Sequence, residues 1–338
     1  MSTHLNHPTP RYMTTRETEI VCSLCAHTCR IAPGETGICR VRANEEGVPA
    51  LPFYAAVSAL HVDPVEKKPL YHFHPGARLV SVGFLGCNFR CPFCQNYSIS
   101  QSTRAQTRTV APDELPAVVE EAGALGVAYT YNEPTIHFEY LMAASEAVHA
   151  AGYANTLVTN GHLTRRPARE LLARMDAVNV DLKSFSARFY EEELGGTLEA
   201  VTDFITIASE LTNVEVTTLL IPGKNDSDEE VESIARFLGD LDPGIAFHLS
   251  GYYPTYHYVV EATTPDQIER AREIAQRHLN HVYPGNVPGD STTRCASCGA
   301  TLVTRSAYQI RVVGLDGTRC ATCGEHGPIA WFERTDQG

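Results

Sequence analysis

From Ala77 to about Tyr283, short apolar runs alternate with longer stretches in which apolar positions recur at helical spacing. The runs predict strands near 79–84, 127–131, 155–159, 177–182, 215–221 and 245–249, with a seventh near 281–283. Between them, helices are expected over about 113–124, 135–151, 165–175, 186–193, 198–210, 227–239 and 265–279. Gly152 suits a C-terminal cap of the second helix, and Ser227 with Glu230 forms a capping-box pattern for the sixth. Strand and helix in alternation argue for parallel strands joined by crossovers, an α/β fold read as a complete or partial TIM-type β/α barrel. Upstream, LPFYAAVSALHVDPVEKKPLYHFHPG alternates like short strands, and its prolines exclude a long helix. Residues 1–17 are polar, without period, and read as a tail.

A barrel of this kind presents its chemistry where the C-terminal ends of its strands open into loops. Polar residues fall at those points: Cys87 after the first strand, Asn132 and Glu133 after the second, Thr159 and Asn160 after the third. Asp181 and Lys183 follow at the fourth, Lys224 after the fifth and His248 in the sixth. An unpaired polar group on a buried strand end costs a few kcal/mol, so a ligand or an internal network must satisfy each one.

Composition narrows the class. The chain has 338 residues, 43% hydrophobic and 20% charged, long enough for one large α/β domain with small appended modules. A net charge of −13 argues against nucleic acid or an anionic membrane as the main partner. No apolar run is long enough to span a bilayer and the N-terminus lacks the apolar core of a signal peptide, so a cytoplasmic location is expected.

Eleven cysteines fall into three groups at metal-ligand spacing, with none left over. Cys22, Cys25, Cys29 and Cys39 could close around zinc or hold a second iron–sulfur cluster, a choice that spacing leaves open. Cys295, Cys298, Cys320 and Cys323 form two C-x2-C pairs around a hairpin candidate, a zinc-ribbon signal with an auxiliary cluster as the alternative. Cys87, Cys91 and Cys94 follow C-x3-C-x2-C; three thiolates on one loop reach three corners of a cubane cluster and leave the fourth iron open. The rival for that loop is a structural metal site or a simple electron-transfer cluster. His27 lies among four thiolates that already fill their site and reads as a supporting or surface residue, while His72 and His74 read as loop or packing residues, because no carboxylate or third histidine accompanies them at metal-site spacing.

The spacing, with Phe93 before the last cysteine, resembles the signature of the radical S-adenosylmethionine (SAM) enzymes. More narrowly, the chain is similar to relatives of the pyruvate formate-lyase-activating enzymes and to the radical SAM member of the AmmeMemoRadiSam system. That likeness is carried by DPVEKKPLYHFHPG at 63–76, GCNFRCPFCQN at 86–96, YNEPT at 131–135, TNG at 159–161, VDLKSF at 180–185, IPGKND at 221–226 and YPGNVPG at 283–289. It implies a [4Fe-4S] cluster on Cys87, Cys91 and Cys94 whose unique iron binds SAM. It further implies reductive cleavage to a 5′-deoxyadenosyl radical that abstracts hydrogen, with an electron donor such as flavodoxin or ferredoxin. Tyr131, Asn132 and Glu133 are then expected near the SAM amino group, and Thr159, Asn160, Asp181 and Lys183 near its carboxylate and ribose. His248 would sit against the ribose or the substrate, unless it is a satisfied core residue. The expected order is a tail at 1–17, a cysteine-rich module at 18–75, the barrel at 76–285 and a zinc ribbon at 286–338.

Two departures from the family pattern bear on substrate. Val158 stands where activases carry aspartate, and HLSGYYPTYHY at 248–258 lacks the arginine and lysine of the nearer relatives. Three readings remain: an activase-like enzyme acting on a partner protein, a biosynthetic enzyme acting on a small molecule, and a non-catalytic iron–sulfur or zinc-ribbon protein.

Overall fold

The apolar runs become one eight-stranded sheet in a computed structural model that describes residues 7–306 and 309–333. β1 (Ala59–Pro64), β2 (Arg78–Gly83), β3 (Gly126–Tyr129), β4 (Ala154–Thr159), β5 (Ala177–Asp181), β6 (Asn213–Leu220), β7 (Ala246–Gly251) and β8 (Val282–Gly285) lie side by side in chain order. β2 to β8 are parallel, and β1 runs antiparallel to β2. Among the described residues β1 and β8 do not pair, so the barrel is partial. Leu79, Val80 and Val82 are all fully buried although consecutive side chains face opposite ways, because both faces of a parallel sheet are covered.

The crossovers are α1 (Leu115–Ala122), α2 (Phe138–Ala150), α3 (Arg165–Leu172), α4 (Leu198–Leu211), α5 (Asp228–Leu241) and α6 (Pro265–Ala275). Gly152 follows α2 at φ +77° and its N–H reaches His149 O at 2.9 Å, as a left-handed C-terminal cap does. At α5 only half of the expected capping box forms. Ser227 Oγ accepts from Glu230 N at 3.2 Å, but the Glu230 carboxylate turns away to accept from Ser184 Oγ and Phe185 N in the loop after β5. A full box closes instead at α6, between Thr264 and Gln267. The helix expected at 186–193 is a short α-turn, Ala187–Phe189, running into a π-helical turn, Tyr190–Leu194. Leu194 gives up its carbonyl to Arg90 N at 3.0 Å, so the loop that carries the second cysteine group ends this helix.

Met13–Arg16, within the expected tail, pairs with Glu19–Cys22, which pairs with Cys29–Ile31; residues 1–6 lie outside the described residues. β1, expected inside the cysteine-rich module, belongs to the barrel sheet, because its register places Val62 and Asp63 beside Val80 and Leu79. At the other end Thr301–Ser306 pairs with Thr293–Arg294 and Gln309–Val312 over a small core that includes Leu302, Val303, Cys295 and Cys320.

Candidate active site

A cavity of about 310 Å³ opens at the C-terminal ends of the strands. Cys87, Cys91, Phe93 and Cys94 line it from the loop after β2; Tyr131, Asn132 and Glu133 from β3; Asn160 from β4; Asp181 and Lys183 from β5. The fold thus gathers nearly all the expected site residues in one place.

Gly86 begins the cysteine loop. It sits at φ +81°, and a Cβ there would strike the carbonyl of Cys39 and the Val41 side chain, so the N-terminal cysteine module seats against this turn. His27 adds a second tie, its Nε2 lying 2.7 Å from Asn88 O. The sulfurs are dressed by the surrounding chain. Phe89 N donates to Cys87 Sγ at 3.3 Å, Asn160 Nδ2 at 3.8 Å, and Ser100 Oγ lies 3.1 Å from Cys94 Sγ. Burial, and then the neighbouring Cys91, raises the Cys87 thiol well above its ordinary range; burial pushes Cys91 up to about 12 despite the nearby Lys183.

The three residues after β3 divide the work. Asn132 clamps the root of the cysteine loop, accepting from Phe84 N at 3.0 Å and donating to Gly86 O at 2.8 Å. Glu133 is buried and gathers the ends of β3 and β4. Its Oε1 accepts from Thr135 N at 3.1 Å, Thr135 Oγ1 at 2.6 Å and Thr159 Oγ1 at 2.7 Å, and its Oε2 from Asn160 N at 2.7 Å. Burial pushes this carboxyl above its ordinary range while the donors pull it down. A carboxylate offers about four acceptor sites, so Glu133 is largely satisfied by its own chain and acts as an organiser of the strand ends; Thr159 serves it from behind. Tyr131 is held at φ +74°, a strained conformation for an aromatic residue, and its ring leaves no room for a side chain at Gly83, where a Cβ would lie 2.8 Å from Cδ2.

At β5, Lys183 Nζ pairs with Asp181 Oδ2 at 3.1 Å. Burial opposes the ammonium charge, but Asp181, and Cys91 in its thiolate form, raise its pKa well above the ordinary range. Lys224 lies elsewhere, paired with Glu193 at 3.1 Å and set over the Tyr258 ring at 4.9 Å.

His248 is not among the cavity-lining residues. It is buried, with Nε2 at 2.7 Å from Glu215 Oε2, and Glu215 also accepts from Tyr71 N and His72 N. This is a polar cluster set apart from the cavity, with His72 bonded to Tyr283 at 2.8 Å and Arg305 of the C-terminal hairpin over the Tyr71 ring. Of the two readings of His248, contact with ribose or substrate and a satisfied core residue, the bond to Glu215 fits the second. His74 packs edge-on against Trp331. Sequence reasoning missed Asp63, Lys67 and Lys68: both lysines line the cavity and both pair with Asp63. The only signal was their place in the DPVEKKP stretch, where nothing marked β1 as a barrel strand.

In the C-terminal group all four sulfurs lie within 4.8 Å of one another, with Cys295–Cys323 at 3.6 Å and Cys298–Cys320 at 3.7 Å. A tetrahedral ion with metal–sulfur bonds of about 2.3 Å sets sulfur–sulfur edges of about 3.8 Å, so the donors fit one such ion. No helix of the described residues is long and apolar enough to cross a membrane.

Residues 82–238 match the family model of the Radical SAM superfamily, a span that begins just before the cysteine loop and ends within α5. An uncharacterized protein of Methanocaldococcus jannaschii is 36% identical over 308 residues, covering 89% of this chain and 92% of its own length. A 7-carboxy-7-deazaguanine synthase of Thermococcus kodakarensis is 27% identical over 187 residues, 50% of this chain and 73% of that protein. Among solved structures, Streptococcus suis SuiB bound to S-adenosylmethionine shares the fold at TM-score 0.50 and 16% identity, covering 62% of this chain and 52% of SuiB. With the cysteine loop, the parallel partial barrel and this family match in agreement, the chain belongs to the radical SAM superfamily of enzymes.

Proposed function

We propose that this radical SAM enzyme cleaves SAM reductively and abstracts hydrogen from a small substrate held in the same cavity. Membership of the superfamily implies a [4Fe-4S] cluster and SAM. The residues fit both: three thiols on one loop, with hydrogen-bond donors already placed on or beside two of the sulfurs, share a cavity with the ends of β3 to β5. Cys87, Cys91 and Cys94 would hold the cluster. When bound, the cluster and SAM together supply a low-potential electron and, from the split sulfonium, a 5′-deoxyadenosyl radical. The chain supplies position and shelter. Lys183 offers a cation for the methionine carboxylate, Glu133 and Asn132 fix the strand ends around the loop, and Phe93 gives an apolar wall.

The observation that carries the small-substrate reading is the cover over the cysteine loop. His257 N donates to Pro92 O at 2.8 Å, and the Tyr258 ring lies 5.5 Å from that of Phe93. The altered 248–258 stretch is therefore folded onto the loop. An activase-like or AmmeMemoRadiSam-type enzyme acting on a partner protein would have to bring a peptide past it. The electron donor belongs to the same reading: a flavodoxin or ferredoxin class protein. For the C-terminal sulfurs the reading is one structural zinc; for Cys22, Cys25, Cys29 and Cys39 it is zinc or a second iron–sulfur cluster.

Anaerobic reconstitution with iron, sulfide, SAM and dithionite tests the proposal by the appearance of 5′-deoxyadenosine. Cys91→Ala should abolish it in a protein whose circular dichroism is unchanged. A wild-type enzyme that forms none, and whose cluster spectrum ignores SAM, would overturn the reading.

A further inference from the structure

The cavity carries a second cationic centre, away from the cysteine loop in sequence and unused by anything above. Lys67 and Lys68 follow β1, one edge strand of the open sheet; Asn286, which follows the other edge strand β8, lines the same cavity. The cavity thus reaches both unpaired edges, where a partial barrel admits a ligand from the side.

Both lysines share one counterion. Lys68 Nζ lies 2.9 Å from Asp63 Oδ2 and Lys67 Nζ 3.3 Å from Asp63 Oδ1. Asp63 Oδ2 also accepts from Tyr131 OH at 2.7 Å and Ser81 Oγ at 2.9 Å. Three donors thus crowd Oδ2 and one meets Oδ1, so that carboxylate is largely satisfied. Each ammonium carries three N–H bonds, and among the described residues neither has a second acceptor; one face of Lys68 is taken by the Tyr131 ring, 4.6 Å away. The group therefore has two positive charges against one negative, with donors to spare. The Lys68 side chain is only 3% exposed, so only a group entering the cavity it lines can satisfy its spare donors. Lys67, at 54%, stands at the rim. The strained Tyr131 backbone belongs to the same device: Asn96 Nδ2 holds its carbonyl at 2.7 Å, which keeps the phenol on Asp63.

We propose that Lys67 and Lys68 form an anion subsite that takes a carboxylate or phosphate group of the substrate. This rests on the small-substrate reading above and narrows it to an acidic small molecule. Asp63, Tyr131 and Ser81 are positioning residues: they hold Lys68 upright and leave it no competing acceptor.

Calorimetry on the reconstituted, SAM-loaded enzyme with inorganic phosphate and with malonate tests this, the two arms separating the two anion classes. One of them should bind at one equivalent per chain. Lys67→Glu should weaken that binding by about tenfold or more and Lys67→Arg should keep it within about threefold, since a charge-assisted contact is removed in one and retained in the other. Lys67 is at the rim, so neither change threatens folding; Lys68→Met is the second variant and should also weaken binding about tenfold. Binding of neither anion, equal binding by Lys67→Glu, or loss of anion binding when SAM is added would each overturn the subsite, the last because SAM itself would then occupy the lysines. The outcomes separate from those of the parent reading: 5′-deoxyadenosine without anion binding removes the subsite alone, and anion binding without 5′-deoxyadenosine removes the catalytic reading alone.

Discussion

Burial raises the Glu133 carboxyl above its ordinary range, and four donors from three residues work against that rise. Glu133→Gln turns one oxygen into an NH2 group. The threonine hydroxyls can rotate to accept from it, but Asn160 N or Thr135 N cannot. A loss of about 2–3 kcal/mol in urea unfolding is expected, with weaker SAM binding from the loosened β3 and β4 ends. Titration gives a second expectation at this scale. Burial lowers His281 to about 4 and His72 well below its ordinary value, so both stay neutral in the fold. Their surroundings include Glu215, His248, Tyr283 and Arg305. Below about pH 6.5 the unfolded chain takes protons that the folded chain refuses, so stability should be full above that pH and fall as pH drops toward 4. Urea midpoints at pH 7.5 and 5.5 measure this, and His281→Asn should reduce the difference while His72 keeps its share. The sequence marked Glu133 as a site residue; what it could not reveal is that its partners are Thr159 and Asn160, because those bonds exist only once β3 and β4 lie side by side.

Elements were largely legible because their apolar period is strong. Their ends were less so, since a terminal group bonds to whatever the fold brings near. Ser227→Ala at the start of α5 should cost about 1 kcal/mol, the ordinary value of a lost cap. Glu230→Ala should cost more, because Ser184 Oγ and Phe185 N lose their acceptor as well. The N-terminal module is fastened to α2 by a two-pronged pair: Arg42 Nη1 and Nη2 lie 2.8 Å from the two oxygens of Glu139, both side chains being almost fully buried. Arg42→Ala strands a buried carboxylate, and a loss of about 3–5 kcal/mol is expected in thermal or urea unfolding. A smaller effect in the double variant Arg42→Ala with Glu139→Ala would show that the stranded charge, rather than the lost attraction, is the larger part.

Across the whole molecule the C-terminal hairpin reaches back to the barrel. Arg305 Nη2 donates to Tyr71 O at 2.6 Å and Ala330 N to His72 O at 2.7 Å, both acceptors lying between β1 and β2. Cys320→Ser should therefore remove about one equivalent of metal and also lower the melting temperature of the barrel, measured by metal analysis and calorimetry. A variant that loses the metal and leaves the barrel transition unmoved would show the ribbon to be an independent appendage. At this scale the radical SAM cysteine loop and the parallel sheet were legible in the chain itself. Ligand spacing is local, and apolar runs separated by helical stretches admit few other arrangements. Long-range packing alone brings β1 into the barrel sheet, seats His248 in a buried cluster and sets two lysines beside Asp63 at the border of the cavity. Each depends on contacts between residues far apart in the chain, which packing creates and which no local pattern encodes.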